Sequence, residues 1–376
     1  MKLLLDRILS QPAFADLLDE LAGGQRPLRL GLIRSARLPM VAALAEATAR
    51  PILLLTQRRD RALAYFEELG LWSPQAEHLF FPEPSALFYE NAPWSQTARR
   101  ERLGALARLS QPGSGKPAVI LTSARAIMAR TLPKADFVQA SLKLDRGMRS
   151  EPLALAEHLV NMGYENASSV TAPGHFARRG GILDVWAMQD DLPSRLEFFG
   201  DEVDSLRRFD PASQRTVIEV EHSVLTPARE YLLGRAPTLD LEAKDLSEFH
   251  TPLLHPHSVG IFDYLPAAAL ICIDDLEALS EQIGELESQA VGLRAEGLQS
   301  GAINADYPLP YLPLDEIRDL LGDRQVVELG PAADLEVAQG PARFFRPGPR
   351  FGGQLKPMLD HAENMLDGGD EVHLVS

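Results

Sequence analysis

One cysteine in 376 residues leaves no partner for an internal disulfide. Its flanks, Leu270-Ile-Cys-Ile273, predict a buried strand rather than a reactive thiol, so a reducing, cytoplasmic setting is expected. Long apolar runs are also missing. No segment approaches the roughly 18 uninterrupted residues of a spanning helix, and Asp6 and Arg7 interrupt MKLLLDRILS, so neither a leader nor a membrane anchor is expected there. Positive charge is scarce: 37 Lys and Arg stand against 53 Asp and Glu, a net charge of -16. Sequence-independent nucleic-acid binding depends on Lys and Arg displacing phosphate counterions, so that balance disfavours it and fits a protein partner better. The local cluster Arg99, Arg100 and Arg102 is expected to be a solvated helix face. What remains, 45% hydrophobic and 24% charged, is the composition of a globular protein long enough for two or three domains.

The first third reads as α/β. An opening helix to about Leu21 precedes a strand at Leu28–Ile33, a helix at Pro39–Ala49, a strand at Pro51–Leu55 and a helix at Asp60–Leu69 stopped by Gly70. Phe80–Trp94, with three prolines and five aromatics, reads as a loop; Ser95 caps a helix to Leu109, and Ala118–Thr122 is the next strand. Short apolar strands between helices imply a parallel sheet covered on both faces. From Leu142 the pattern turns to alternating strands after a helix at Glu151–Met162, which predicts a smaller α+β unit with turns at Asp191–Pro193 and Gly200–Glu202. Beyond Pro227, a strand at Ala269–Ile273 and a helix at Asp275–Glu296 restore the α/β pattern, while Tyr231–Phe249 reads as a solvated, variable insertion. A helix at Gln354–Leu366 and a strand at Glu371–Val375 close the sequence, which suggests the front portion of a longer protein.

Phosphate-binding signals are present in outline only. Gly113-Ser-Gly-Lys-Pro117 lacks the first glycine of the P-loop, has Ser110 there, and carries Pro117 where a magnesium-holding hydroxyl belongs. Gly31-Leu-Ile-Arg-Ser-Ala-Arg-Leu38 lies between strand and helix, where such loops occur. Yet Ala36 replaces glycine, Arg37 lysine and Leu38 the hydroxyl residue, so Arg37 alone retains the charge to meet an anion. Asp274 and Asp275 end an apolar strand as metal-organising carboxylates do, but without a phosphate loop a helix-capping role is the simpler one. His250, His255 and His257 lack helical spacing and cysteine neighbours and read as surface histidines, so no metal site and no catalytic residues are expected.

The most informative segment is Phe176–Arg215, a β-meander. Alternation along Ser194–Phe199 puts Leu196 and Phe198 on one face and Arg195, Glu197 and Phe199 on the other. An aromatic among charges on a wet face has the composition of a protein-docking hot spot. The alternative is a ring tucked under a neighbouring loop.

ARRGGILDVW, RLEFFGDEVDSLRRFD and PASQRT in this meander resemble the UvrA-binding domain shared by UvrB and the bacterial transcription-repair coupling factor, Mfd; weaker echoes extend along the chain, including Phe262-Asp-Tyr-Leu-Pro266. The chain is identified by resemblance as a member of the N-terminal UvrB-homology module of the Mfd family. Departures at Gly31, Ala36, Arg37 and Leu38, a short connection at Tyr89–Arg100 where UvrB has its DNA-gripping hairpin, and Asp274-Asp-Leu-Glu277 without the expected glutamate and histidine argue against UvrB itself. The resemblance implies a degenerate RecA-like parallel-sheet domain (1–140), an inserted α+β UvrA-binding domain (141–228), a second α/β domain (229–338) and a return segment (339–376). It places UvrA contacts on Arg179, Arg195 and Phe199, with Arg178 as a helper and Gly180-Gly181 allowing close approach. It implies a monomeric recruitment module without cofactor, while ATP, magnesium, DNA and RNA polymerase belong to other parts of the family protein. The alternative is a UvrB-type ATP-dependent helicase that processes damaged DNA.

Overall fold

Six short apolar strands, drawn from two stretches far apart in sequence, make one parallel sheet. The computed structural model describes residues 1–24, 28–111, 117–234, 246–330 and 340–372. The first stretch gives β1 (Leu28–Arg29), β2 (Ile52–Thr56), β3 (Glu77–Phe81) and β4 (Ala118–Ser123). The chain then builds β5 (Leu142–Asp145), β6 (Glu165–Asn166), β7 (His175–Arg179), β8 (Ile182–Val185), β9 (Ser194–Phe199), β10 (Glu202–Phe209), β11 (Thr216–Glu219) and β12 (His222–Leu225). It returns as β13 (Leu270–Ile273) and β14 (Gln325–Glu328). The large sheet has the order β1-β14-β13-β2-β4-β3, parallel throughout. Residues 229–338, expected as an α/β domain of their own, thus contribute two strands to this sheet, with β13 hydrogen-bonded between β2 and β14.

Burial on both faces explains the continuous apolar runs. Leu53, Leu55, Ile120, Ile271 and Ile273 enter one core, whereas Ile52, Leu54, Val119, Leu121, Leu270 and Cys272 enter the other. The second core also takes Phe14, Leu17 and Met40–Ala45 from the N-terminal helices. The first continues into the small unit through Leu159, Phe176, Leu183, Val185 and Leu196, so that unit is seated on the sheet's own core rather than hung from it.

Several element boundaries differ from the sequence expectation. The opening helix is two, Lys2–Leu9 and Pro12–Ala22, because Pro12 starts a second one. The helix expected from Pro39 begins at Arg34 and runs to Thr48 with Pro39 inside it. Burial of Ala36 and Leu38 offsets the missing bond at Pro39. The next helix, Arg59–Trp72, passes through Gly70, since Leu69 and Trp72 are both buried on its inner face. The expected loop at Phe80 overlaps β3, an edge strand beside β4. Gly113–Lys116, most of Tyr231–Phe249 and the end of the Glu371–Val375 strand lie outside the described residues. No helix among the described residues is long and apolar enough to cross a membrane.

The small unit carries a six-stranded sheet in the order β11-β10-β9-β8-β7-β6, with a β5–β12 pair beside it. Arg179 pairs with Ile182 and Phe199 with Glu202, so each hairpin closes over two residues. Their first turn residues, Gly180 and Gly200, have φ of 59° and 63°, which a side chain would strain. Because β7 and β9 run the same way, both tips project from the same end of the sheet.

Candidate functional site

The alternation of β9 survives folding intact. Leu196 is buried and Phe198 packs on the core, while Arg195 and Glu197 are half-buried on the opposite face. Phe199 is 84% exposed, higher than any other large hydrophobic side chain among the described residues. It stands at the hairpin tip. Register places Arg179 opposite Ile182, and Ile182 opposite Glu197, so Arg179, Glu197 and Phe199 share one face of the same end. Arg179 is exposed and donates to the Ser168 carbonyl. Arg178 pairs with Leu183 instead and points to the other face, so folding does not bring it to the group. A Cβ at Gly181 would come within 3.1 Å of the Phe198 carbonyl oxygen, so glycine there keeps the two hairpins close.

Arg195 is the least free member of the set. Its Nε donates to Asp184 Oδ1 at 2.6 Å and its Nη2 to Oδ2 at 2.7 Å, directly across the β8–β9 register. Nη2 also donates to Gln214 Oε1 at 2.8 Å, and the guanidinium carbon lies 4.3 Å from the centre of the Phe209 ring. The hydrogen bonds to Asp184 hold the Arg195 pKa above its ordinary value. Arg207 pairs with Glu197, whose carboxyl is held below its usual range chiefly by the Ser205 hydroxyl at 2.9 Å.

At the nucleotide-site remnant, Arg37 does not await an anion. Its side chain is buried, with Nη1 donating to Asp274 Oδ1 at 3.0 Å and Nη2 lying 3.9 Å from Asp275. Asp274, 2% exposed, also accepts from Arg61 Nε at 3.0 Å and from the Tyr65 hydroxyl at 2.9 Å. Burial opposes the charge on Asp274, but the bonds and charges of Arg61 and Arg37 prevail and hold its pKa below the ordinary value. A Cβ at Gly330 would stand 2.7 Å from the Asp274 carbonyl oxygen and 3.3 Å from Arg37 Nη2, so a second backbone segment closes on the pair. Only Asp275 caps the following helix, accepting from the Ala278 amide at 3.2 Å; Asp274 is spent inside the ion-pair network, which corrects the capping expectation for it. Gly31 keeps a left-handed φ of 62°, yet Ala36, Arg37 and Leu38 form the first turns of a buried helix rather than a cradle.

Two clusters escaped sequence reasoning. Arg102, expected on a solvated face, is 0% exposed and bound on two nitrogens to the equally buried Glu230, at 2.6 and 2.9 Å. It also donates to the Pro82 carbonyl at 2.9 Å and lies 4.0 Å from the Phe81 ring centre. The correction has a simple cause: of the three arginines only Arg102 lies on the inner face of helix Gln96–Ser110, where it meets Glu230, while Arg99 and Arg100 stay partly exposed. A register of Arg102 with the buried Ala98, Ala105 and Leu106 was the available signal. His250 and His255, expected at the surface, are buried; His255 Nδ1 lies 3.0 Å from Asp136 Oδ2 and ties segments 119 residues apart. Among the described residues no group of three or more His, Cys, Asp or Glu could hold a metal ion.

Residues 142–231, from the first residue of β5 to Tyr231, match the family model of the UvrB interaction domain. Over 228 residues the chain is 38% identical to the transcription-repair-coupling factor of Myxococcus xanthus, covering 58% of this chain and 19% of that protein. The Bacillus subtilis (strain 168) transcription-repair-coupling factor is 26% identical over 327 residues, 77% of this chain and 28% of the relative. UvrABC system protein B of Pseudothermotoga lettingae is 25% identical over 216 residues, 54% of this chain and 32% of that one. The chain spans less than a third of each of these relatives. It is thus similar to transcription-repair-coupling factors and, more distantly, to UvrB, which is the resemblance that the meander carried.

Proposed function

We propose that this chain is a non-catalytic recruitment module whose 142–231 unit docks UvrA through Phe199, Arg179 and Arg195, bringing nucleotide excision repair to an RNA polymerase stalled at DNA damage. The observation that carries this reading is Phe199: an aromatic ring 84% exposed at a hairpin tip, flanked by arginine and carboxylate, inside the segment similar to the UvrB interaction domain. An apolar ring left in water with no role gains nothing for the fold, whereas burial against a partner removes it from water. The module is monomeric and cytoplasmic in this reading. ATP, magnesium, DNA translocation and the contact with RNA polymerase belong to other parts of the full-length protein. The Arg37–Asp274–Arg61 network supports the absence of nucleotide chemistry, because Arg37 and the carboxylate a magnesium ion would need are already paired to each other. That pairing also disfavours a UvrB-type helicase.

Titration of purified UvrA with this chain, and separately of this chain with ATP and magnesium, tests the proposal. A saturable UvrA complex with no nucleotide signal is expected. Micromolar ATP binding, or no UvrA complex at tens of micromolar, contradicts it.

A further inference from the structure

The geometry points to Asp184 and Gln214 as positioning residues that fix the plane of the Arg195 guanidinium and leave its Nη1 edge for an acceptor oxygen, carboxylate or carbonyl, on the docking partner. This inference rests on the docking reading of the face and names the chemistry of one of its contacts.

A guanidinium carries five N–H groups. Nε and Nη2 together serve Asp184 and Gln214, and the Phe209 ring lies beneath at 4.3 Å. The two N–H groups of Nη1 have no partner among the described residues. Asp184 is 5% exposed, and a carboxylate so buried is stable only when paired, so its position and that of Arg195 determine each other. The arginine is therefore held as a planar fork on the same face as Glu197 and Phe199, with roughly 13 Å of strand between Cα195 and Cα199.

Gln214 supplies an independent sign. It has a φ of 61°, in the left-handed region, which costs a non-glycine residue about 1 kcal/mol or more. Glycine would adopt that backbone without strain. The Asp210–Gln214 turn has its own support: Asp210 accepts from the Ser213 amide and hydroxyl at 2.7 Å, and the Gln214 amide donates to the Asp210 carbonyl at 2.8 Å. What glutamine adds is its side chain. Nε2 donates to the Pro211 carbonyl at 2.9 Å, which fixes Oε1 toward Arg195. A fork held in this way loses little rotational freedom when it binds, so the same contact is tighter and more directional than one from a mobile arginine.

The test measures UvrA affinity and melting temperature for Gln214→Gly, Arg195→Lys, Asp184→Asn, Arg195→Ala and the Asp184→Asn/Arg195→Ala double variant, with Phe199→Ala as reference. Gln214→Gly is expected to melt within about 3 °C of the unaltered protein and to bind roughly threefold more weakly or worse. Arg195→Lys, which keeps the charge and loses the fork, is expected to bind more weakly too. Asp184→Asn should weaken binding on the order of tenfold alone and not at all once Arg195 is Ala. An equal effect of Asp184→Asn with and without Arg195 marks a purely structural role and overturns the inference, as does full affinity in Gln214→Gly. If Phe199→Ala binds weakly while the clamp variants bind normally, the inference alone falls. If Phe199→Ala and Arg195→Ala both bind normally, the docking reading falls and takes the inference with it.

Discussion

Arg37→Ala removes one of two cations from a carboxylate that is 2% exposed. Asp274 accepts from Arg37, Arg61 and Tyr65, so the variant leaves it two donors and one charge. Breaking a buried pair outright costs about 3–5 kcal/mol, and a single hydrogen bond to a charged group contributes about 1.5–3 kcal/mol. Because Arg61 still neutralises the carboxylate, the expected loss is about 2 kcal/mol, at the lower figure. Asp274→Ala should cost more, about 3 kcal/mol or above, since it strands two arginines facing the same empty position. Urea unfolding followed by circular dichroism reads both, as a shift in midpoint at unchanged slope. The sign of the pH dependence is fixed as well. The folded pKa of Asp274 is depressed, so its contribution is complete above the unfolded value near pH 3.9 and is lost as pH falls through the folded value. The gap between Asp274→Ala and the unaltered protein should therefore narrow below about pH 4. A change under about 0.5 kcal/mol for Arg37→Ala, the scale of an ordinary surface substitution, would refute the idea that this arginine closes the site from within.

Arg102→Met should cost about 3–5 kcal/mol by leaving Glu230 buried without its cation. Arg102→Met/Glu230→Leu should recover most of that in the same unfolding assay, and an equally unstable double variant would show that the pair does more than satisfy itself. Cys272 should resist a thiol-specific reagent in native protein and react once unfolded, because burial pushes its pKa up to about 12; rapid native labelling would place it elsewhere than the sheet core.

The parts of the fold legible in sequence were those with strong local pattern. β2, β4, β9, β10 and β13 announce themselves as apolar or alternating runs, and Ser95 caps its helix through the Ala98 amide as its residue type predicts. Tertiary packing decided the rest. Gly70 is a stop signal overridden by buried Trp72, and Pro39 a start signal overridden by buried Ala36 and Leu38. Arg37 and Arg102 are both arginines on helices; the apolar residues at helical spacing around Arg102 hint at its inner face, but the carboxylates that bury the two lie 237 and 128 residues away, beyond any local pattern. Phe199 was legible because period-2 alternation fixes its face before any partner is known, whereas Asp184 entered only with the β8–β9 register and Gln214 only with the folded turn that follows β10.

Phe199→Ala measured against purified UvrA tests the central claim most directly. The ring is 84% exposed, so its removal should leave stability within about 0.5 kcal/mol while weakening the complex by about 2 kcal/mol or more. Unchanged affinity with an intact fold would contradict the account.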